Sequence, residues 1–318
     1  MQHTISLAPL QGFTDYIFRK VYNNYFTDID KFYSPYIRLS NDKTIKKSQI
    51  RDILPENNKN INLIPQILVN NSTDFIFLSN YLFDFGYKEI NWNLGCPYPM
   101  VAKRNLGAGL LEYPEKINEI LETIINKIPN KLSIKMRLGN KNIDDIDKII
   151  SDLNNYNLSD LIIHPRIATQ LYKGNPDLNK FAEVLNTSSN KITYNGDIKD
   201  ISTFNKLENE YQNINNWMIG RGILANPFLA SQIKKTDNLS ADLKKEQFYN
   251  FHDSLFNEIE NSLSGSSHIL TKMTNYWEYF SLSFTNSHKV FKRIKKTSTI
   301  EKYKSAVNHN FSEENLNI

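Results

Sequence analysis

The chain has a single cysteine, Cys96, among 318 residues. One thiol cannot form an internal disulfide or build a cysteine-rich zinc or iron–sulfur site. No metal is therefore expected, and Cys96 serves either packing or chemistry. Long hydrophobic runs are missing as well. No stretch approaches the ~20 apolar residues of a membrane span, and the opening "MQHTISLAPLQGFTD" has neither the basic nor the apolar segment of a secretory leader. A cytoplasmic location without membrane association is expected. Charge of one sign is scarce: 38 Lys and Arg against 34 Asp and Glu leave +4, which permits nucleic-acid binding without requiring it. Hydrophobic residues at 40% and charged residues at 23% match an ordinary globular protein, with enough chain for one large domain or a large one and a small partner.

Short apolar or β-branched runs recur every ~25 to 35 residues with helical stretches between them, the pattern of βα units around a parallel sheet. The runs span 4–10, 30–37, 62–69, 89–95, 131–138, 158–165, 191–198 and 216–223. Among the helices, "PEKINEILETIINKI" starts on Pro114 and aligns Ile117, Ile120, Leu121, Ile124 and Ile128 on one face. Eight such units predict an α/β fold, a (β/α)8 TIM barrel over residues 1–237. Beyond residue 238 the strand signal stops. Apolar residues at helical spacing, Phe248 to Leu263 and Ile269 to Phe280, predict a small all-α domain over 238–318.

Gln66, Cys96, Lys135, His164 and Asn195 each fall in or just after the C-terminal half of an expected strand. In a barrel these positions converge on the face where active sites assemble. "LAPLQGFTD" ends the first strand with Pro9 and Gly12, open backbone for a flat ligand. "NGD" (195–197) and "IGRG" (219–222) end the seventh and eighth, where barrels hold phosphate groups on exposed N–H groups. Lys135 sits in an apolar strand and needs an anionic or electron-rich partner, either a buried carboxylate or the edge of a flavin that turns negative on reduction. Cys96, held in "GCP" after a strand, can be a small buried hydrophobe, a proton donor with the ordinary thiol pKa of ~8.5, or a nucleophile if deprotonated. Spacing alone does not choose among them.

Cations cluster. Lys103 and Arg104 follow the cysteine, and Arg166 and Lys173 follow His164. "HKVFKRIKK" (288–296) carries five Lys or Arg residues beside an apolar stripe of Val290, Phe291 and Ile294. A helix docked by that stripe displays cations that suit a phosphate backbone or form a plain solvated face.

Together "LAPLQGFTDYIFR", "NWNLGCPYPMVAKRNLGAGLL", "SIKMRLG", "IIHPRIATQLYKG", "YNGDI" and "MIGRGILANPFL" resemble the tRNA-dihydrouridine synthase family over nearly the whole chain. The resemblance implies a flavoenzyme that reduces the C5=C6 bond of selected uridines. Ala8, Pro9, Leu10, Gln66, Lys135, His164, Asn195, Gly196, Asp197, Gly220 and Arg221 are then expected on FMN, with NADPH or NADH as electron source. Hydride would pass from flavin N5 to C6, and Cys96 would protonate C5. The partner would be tRNA, one uridine flipped into the site, with Lys103, Arg104, Arg166, Lys173, Lys292, Arg293, Lys295 and Lys296 on RNA. A monomer is expected. "HPRIAT" and "YKGNPDLNKF" depart from the family's usual Arg-Thr and Gly-x-Ala-Asp-Trp near the substrate side, so the resemblance does not carry over a target position. The same reaction on ribosomal RNA, a dihydroorotate-type oxidoreductase of a free pyrimidine and a catalytically silent RNA-binding protein are the alternatives.

Overall fold

The computed structural model describes residues 3–318. Its strands are β1 (Thr4–Leu7), β2 (Lys31–Tyr33), β3 (Leu63–Ile64), β4 (Gln66–Ile67), β5 (Glu89–Leu94), β6 (Lys131–Gly139), β7 (Asp160–Ile167), β8 (Ile192–Tyr194) and β9 (Asn216–Ile219). They form one sheet in the order β3-β2-β1-β9-β8-β7-β6-β5-β4, and every pairing is parallel.

The run expected at 62–69 is two strands. Pro65 has no N–H to give to a ladder, so Leu63–Ile64 pairs with β2 while Gln66–Ile67 pairs with β5. This change of partner across one residue brings the two sheet edges together and closes the TIM barrel. The Pro65 carbonyl still works, accepting the Asn91 N–H at 2.9 Å. The ladders also stop short: β1, β8 and β9 end at residues 7, 194 and 219. The residues expected to continue them form mouth-lining loops instead. The expected helix after Tyr113 spans Pro114–Ile124 and buries Ile117, Ile120, Leu121 and Ile124. Ile128 lies just past its end, next to Pro129, where helical backbone is disfavoured.

After the helix Leu229–Lys234 the chain is almost wholly helical, with Ala241–Ser262, Ser266–Phe280, Ser287–Lys295 and Ile300–Glu313. This region packs on the barrel's first helix, Tyr16–Tyr25, where the Phe251 ring meets Phe18, Tyr22 and Phe26 at 5.3–6.0 Å between centroids. Among its own helices a buried polar cluster is closed by Tyr303, whose hydroxyl lies 2.7 Å from His252 Nε2 and accepts from Trp277 Nε1 at 2.9 Å. The helix Ser266–Phe280 crosses the barrel mouth: Lys272 Nζ donates to Gly12 O at 2.7 Å, and Tyr276 Oη to Phe13 O at 2.5 Å.

Candidate active site

The C-terminal ends of the strands open into a two-lobed cavity. The wide lobe, ≈ 680 Å³, is bounded by Ala8, the loop from Asn195 to Ile201, and Gly220 to Gly222. The narrow lobe, ≈ 170 Å³, holds Gln66, Asn93, Cys96 and Arg137. Pro9, Leu10, Lys135, His164, Tyr172, Arg221 and Tyr279 line both. Each residue expected on a cofactor thus lies on one lobe or the other.

Cys96 is mounted from two sides. Its backbone N–H and that of Gly95 both donate to Asn93 Oδ1, at 2.9 and 3.0 Å. Asn93 Nδ2 donates to Gln66 Oε1 (2.6 Å), Gln66 Nε2 to Asn91 Oδ1 (2.7 Å), and Asn91 Nδ2 to Ser133 Oγ (3.0 Å). This chain reaches across β4, β5 and β6. Gly107 presses on the other side with its φ of +57°. The thiol packs with Leu68, Val101 and Leu106 and is 7% exposed. Burial pushes its pKa above the ordinary thiol value, against the opposing pull of the Tyr98 backbone N–H, the Tyr36 hydroxyl and the Arg137 and Arg38 charges. A raised pKa favours the neutral thiol, the form that can donate a proton, over the thiolate that a nucleophile requires.

Lys135 faces the mouth from β6 with no carboxylate beside it. Burial first, then the Arg137 charge, brings its pKa down to about 7, with Cys96 acting in the opposite sense. His164 lies on the neighbouring strand. Its Nε2 is 3.1 Å from Arg166 Nη1, a donor only, so Nε2 accepts and the ring hydrogen is on Nδ1. Burial, then Arg137, Lys135, Arg166 and Arg221, hold His164 well below its ordinary pKa and therefore neutral. These groups form an electropositive wall with unused donors, suited to an electron-rich ligand edge.

Arg166 departs from the expectation that it contacts RNA. The strand pairing slips between Arg137 and Gly139 opposite His164–Ile167, an irregularity that spans Pro165 and Arg166 and re-aims their side chains. Arg166 is fully buried, donating to both Asp197 oxygens (2.6 and 3.1 Å) and to Gly174 O (2.7 Å). A side chain so enclosed cannot reach an external phosphate. Asp197, at φ +34°, also takes Arg221 at 2.8 Å, so its carboxylate is committed to two guanidinium groups. Arg221 in turn lies 4.4 Å from the Tyr172 ring centroid, and Arg137 lies 5.5 Å from it.

The remaining expected cations divide. Lys103, Arg104 and Lys173 are exposed. The basic helix Ser287–Lys295 docks by Val290 and Ile294, leaving Lys292, Lys295 and Lys296 exposed. Arg293 instead bonds Asn310 and lies 3.4 Å from Glu314, so much of its donor capacity is used inside the protein.

Sequence reasoning did not single out Tyr36, Arg38, Asn93, Arg137, Tyr172 or Tyr279. Arg137 carried a usable signal, because it lies two residues from Lys135 on the same strand and shares its face. Tyr279 carried none, since only the crossing of its helix over the mouth brings it there. Among the described residues no helix is long and apolar enough to cross a membrane, and no cluster of three His, Cys, Asp or Glu is arranged for a metal.

The sequence matches the family model for dihydrouridine synthase (Dus) over residues 6–316. A probable tRNA-dihydrouridine synthase of Staphylococcus epidermidis is 30% identical over 233 residues, covering 70% of this chain and 69% of that one. The tRNA-dihydrouridine synthase B of Pasteurella multocida is 28% identical over 236 residues, covering 72% and 68%. Among solved structures, morphinone reductase matches with a TM-score of 0.51 at 10% identity over 75% of this chain and 87% of its own. The old yellow enzyme of Trypanosoma cruzi matches at 0.50 and 10%, over 74% and 89%. At such identities the likeness concerns the fold alone.

Proposed function

The chain belongs to the dihydrouridine synthase family, and we propose that it reduces the C5=C6 bond of selected uridines in tRNA, with FMN in the wide lobe and Cys96 as proton donor. The observation that carries this reading is the pairing, across one mouth, of a thiol held protonated with a lysine that has no carboxylate partner. FMN is the cofactor suggested by the family resemblance, and this chain's residues fit it. Lys135 and the His164 Nδ1–H offer donors to the electron-rich edge of a flavin ring. The backbone of Asn195–Asp197 and Gly220–Gly222 bounds the lobe where the phosphate end would lie.

The lobe lined by Lys135, His164 and Asn195–Asp197 would hold FMN, whose chemistry would be hydride donation to C6 of the uracil ring, with NADPH or NADH as the source of electrons. Cys96 then delivers its proton to C5, so one hydride and one proton add across the double bond and the thiolate is later reprotonated. The Asn93 bond to the Cys96 N–H fixes where that proton is delivered. Tyr36, Tyr98, Tyr172 and Tyr279 surround the narrow lobe, offering flat apolar faces to a base. A uracil inside folded RNA is out of reach of a thiol this buried, so the target is flipped in. The barrel, residues 1–237, would carry the chemistry. The helical region, 238–318, would carry RNA on Lys292, Lys295 and Lys296, with Lys103 and Lys173 at the mouth.

The test is to map dihydrouridine in total RNA from cells with and without this protein. Loss of dihydrouridine at defined tRNA positions is expected, restored by the wild-type chain. Identical maps would overturn the reading, and a change confined to ribosomal RNA would replace its substrate.

A further inference from the structure

Beside the narrow lobe, on the far side of the Cys96 mount, lies a separate cleft of ≈ 260 Å³. Its apolar wall is Leu68 and Leu106, the same side chains that pack against the thiol. Its polar lining includes Arg38, Arg104, Lys43 and Asp74. The anions here are already committed. Asp74 takes Lys43 at 2.8 and 3.0 Å and Asn71 at 3.0 Å, and Asp42 is engaged by Ser40 and Thr44. Arg38 and Arg104 make no ion pair among the described residues, and Arg38 is only half exposed. Neither guanidinium has a nitrogen among the buried atoms without a partner, so their unpaired donors face solvent and are open to an anion.

The position of Arg38 is set by its neighbours. Ile37 bridges to Ile67 in parallel, and Tyr36, one residue before, turns its hydroxyl toward Cys96. Two residues beyond Tyr36, on the same extended segment, Arg38 enters the cleft. Arg104 comes from the loop after Cys96, held by Asn70 Nδ2 donating to its carbonyl at 3.0 Å. Two guanidinium groups from separate elements therefore share one cleft, a single side-chain layer from the thiol.

We propose that Arg38 and Arg104 form a binding site for an RNA phosphodiester adjoining the uridine that reaches Cys96. The inference rests on the uridine-reducing reading, because a base at the thiol carries its own phosphates within one side-chain layer of it. Two planar forks suit the non-bridging oxygens of one phosphate. Lys43, neutralised by Asp74, is not part of the site.

The experiment measures tRNA affinity against salt for the flavin-loaded wild type and for Arg38→Ala, Arg104→Ala, the double variant, Arg38→Lys and Lys43→Ala. Each arginine-to-alanine change is expected to weaken binding ~3- to 10-fold and to flatten the log–log salt slope by about one. Arg38→Lys should keep the slope, and Lys43→Ala should behave as wild type. Retained flavin absorbance shows that each variant is folded. Inorganic phosphate should compete with tRNA less effectively in the double variant. Wild-type slopes in both alanine variants would overturn the site while leaving uridine reduction standing. An altered nicotinamide KM with unchanged tRNA binding would also overturn it, assigning the arginines to the phosphates of the reductant. If the wild type binds tRNA through these arginines yet forms no dihydrouridine, the cleft stands and the proposed reaction falls. If it binds no tRNA, both fall.

Discussion

Gly107 and Cys96 are packed so that a Cβ on Gly107 would lie 2.8 Å from the Cys96 Cβ and 2.9 Å from its carbonyl oxygen. Gly107→Val must therefore move the thiol, with added strain from a left-handed φ. Dihydrouridine formation is expected to fall on the order of 10²-fold, the usual cost of an ångström-scale misplacement, while bound flavin is retained. Unchanged turnover would show that the thiol's placement is not critical.

Cys96→Ala should lose on the order of 10²- to 10⁴-fold in turnover and keep flavin and tRNA binding. The pH profile carries the sign. A thiol pushed above its ordinary value stays protonated through neutrality, so the Cys96-dependent rate should be flat from acid to neutral pH. It should decline only above the ordinary thiol value, as the donor is lost. A rate that climbs through neutrality would identify a thiolate nucleophile instead.

Lys135 has opposite effects on stability and on binding. Its folded pKa of about 7 lies below the ordinary 10.5, so in the flavin-free protein its burial removes stability as pH falls from 10.5 toward 7. Lys135→Met should raise the flavin-free Tm by ~1–3 °C, measured at neutral pH. It should also weaken FMN binding and lower the flavin potential. A cofactor that prefers the ammonium form raises this pKa on binding, so wild-type FMN affinity should fall as pH rises above about 7. The Met variant should lack that dependence.

Arg166→Ala separates the buried reading from the RNA-contact one. Removing it leaves Asp197 with only Arg221, on the lining of the wide lobe. A loss of about 1–3 kcal/mol in unfolding free energy is expected, together with weaker flavin retention. A stable, flavin-loaded variant with a flattened RNA salt slope would restore Arg166 to the RNA side.

The polar cluster of the helical region sets an acid limit. Burial brings His252 from 6.5 down to about 3, so the folded protein holds it neutral while the unfolded chain protonates it. Stability should be full above 6.5 and fall as pH drops toward about 3, at up to about 1.4 kcal/mol per unit. In His252→Phe this part of the acid loss should disappear in denaturant titrations at pH 4 and 7.

The alternation of strand and helix was legible because burial on both faces of a parallel sheet leaves compact apolar runs. The closure at Pro65 was not, since a proline inside such a run looks like a minor flaw, and only pairing shows that it divides two ladders. Polar residues at strand ends, such as Lys135 and Gln66, were readable because period two and the barrel's direction both point them to the mouth. Arg166 was misread for a related reason. It occupies a strand end, but the slipped pairing across Pro165 and the carboxylate of Asp197, 31 residues on, decide that it turns inward. Tyr279 and the two-arginine cleft depend on contacts between distant segments, which no local pattern encodes.

The chain of amides behind Cys96 admits only one orientation. At one end Ser133 Oγ donates to the Ile90 carbonyl at 3.1 Å, which can only accept. At the other, the Gly95 and Cys96 N–H groups can only donate. Each of Asn91, Gln66 and Asn93 must then point its oxygen and nitrogen the same way along the chain, because turning one would set donor against donor at the next link. The barrel's interior thus imposes a single polarity on the loop that presents the thiol, a sense of direction passed along four side chains without any of them moving.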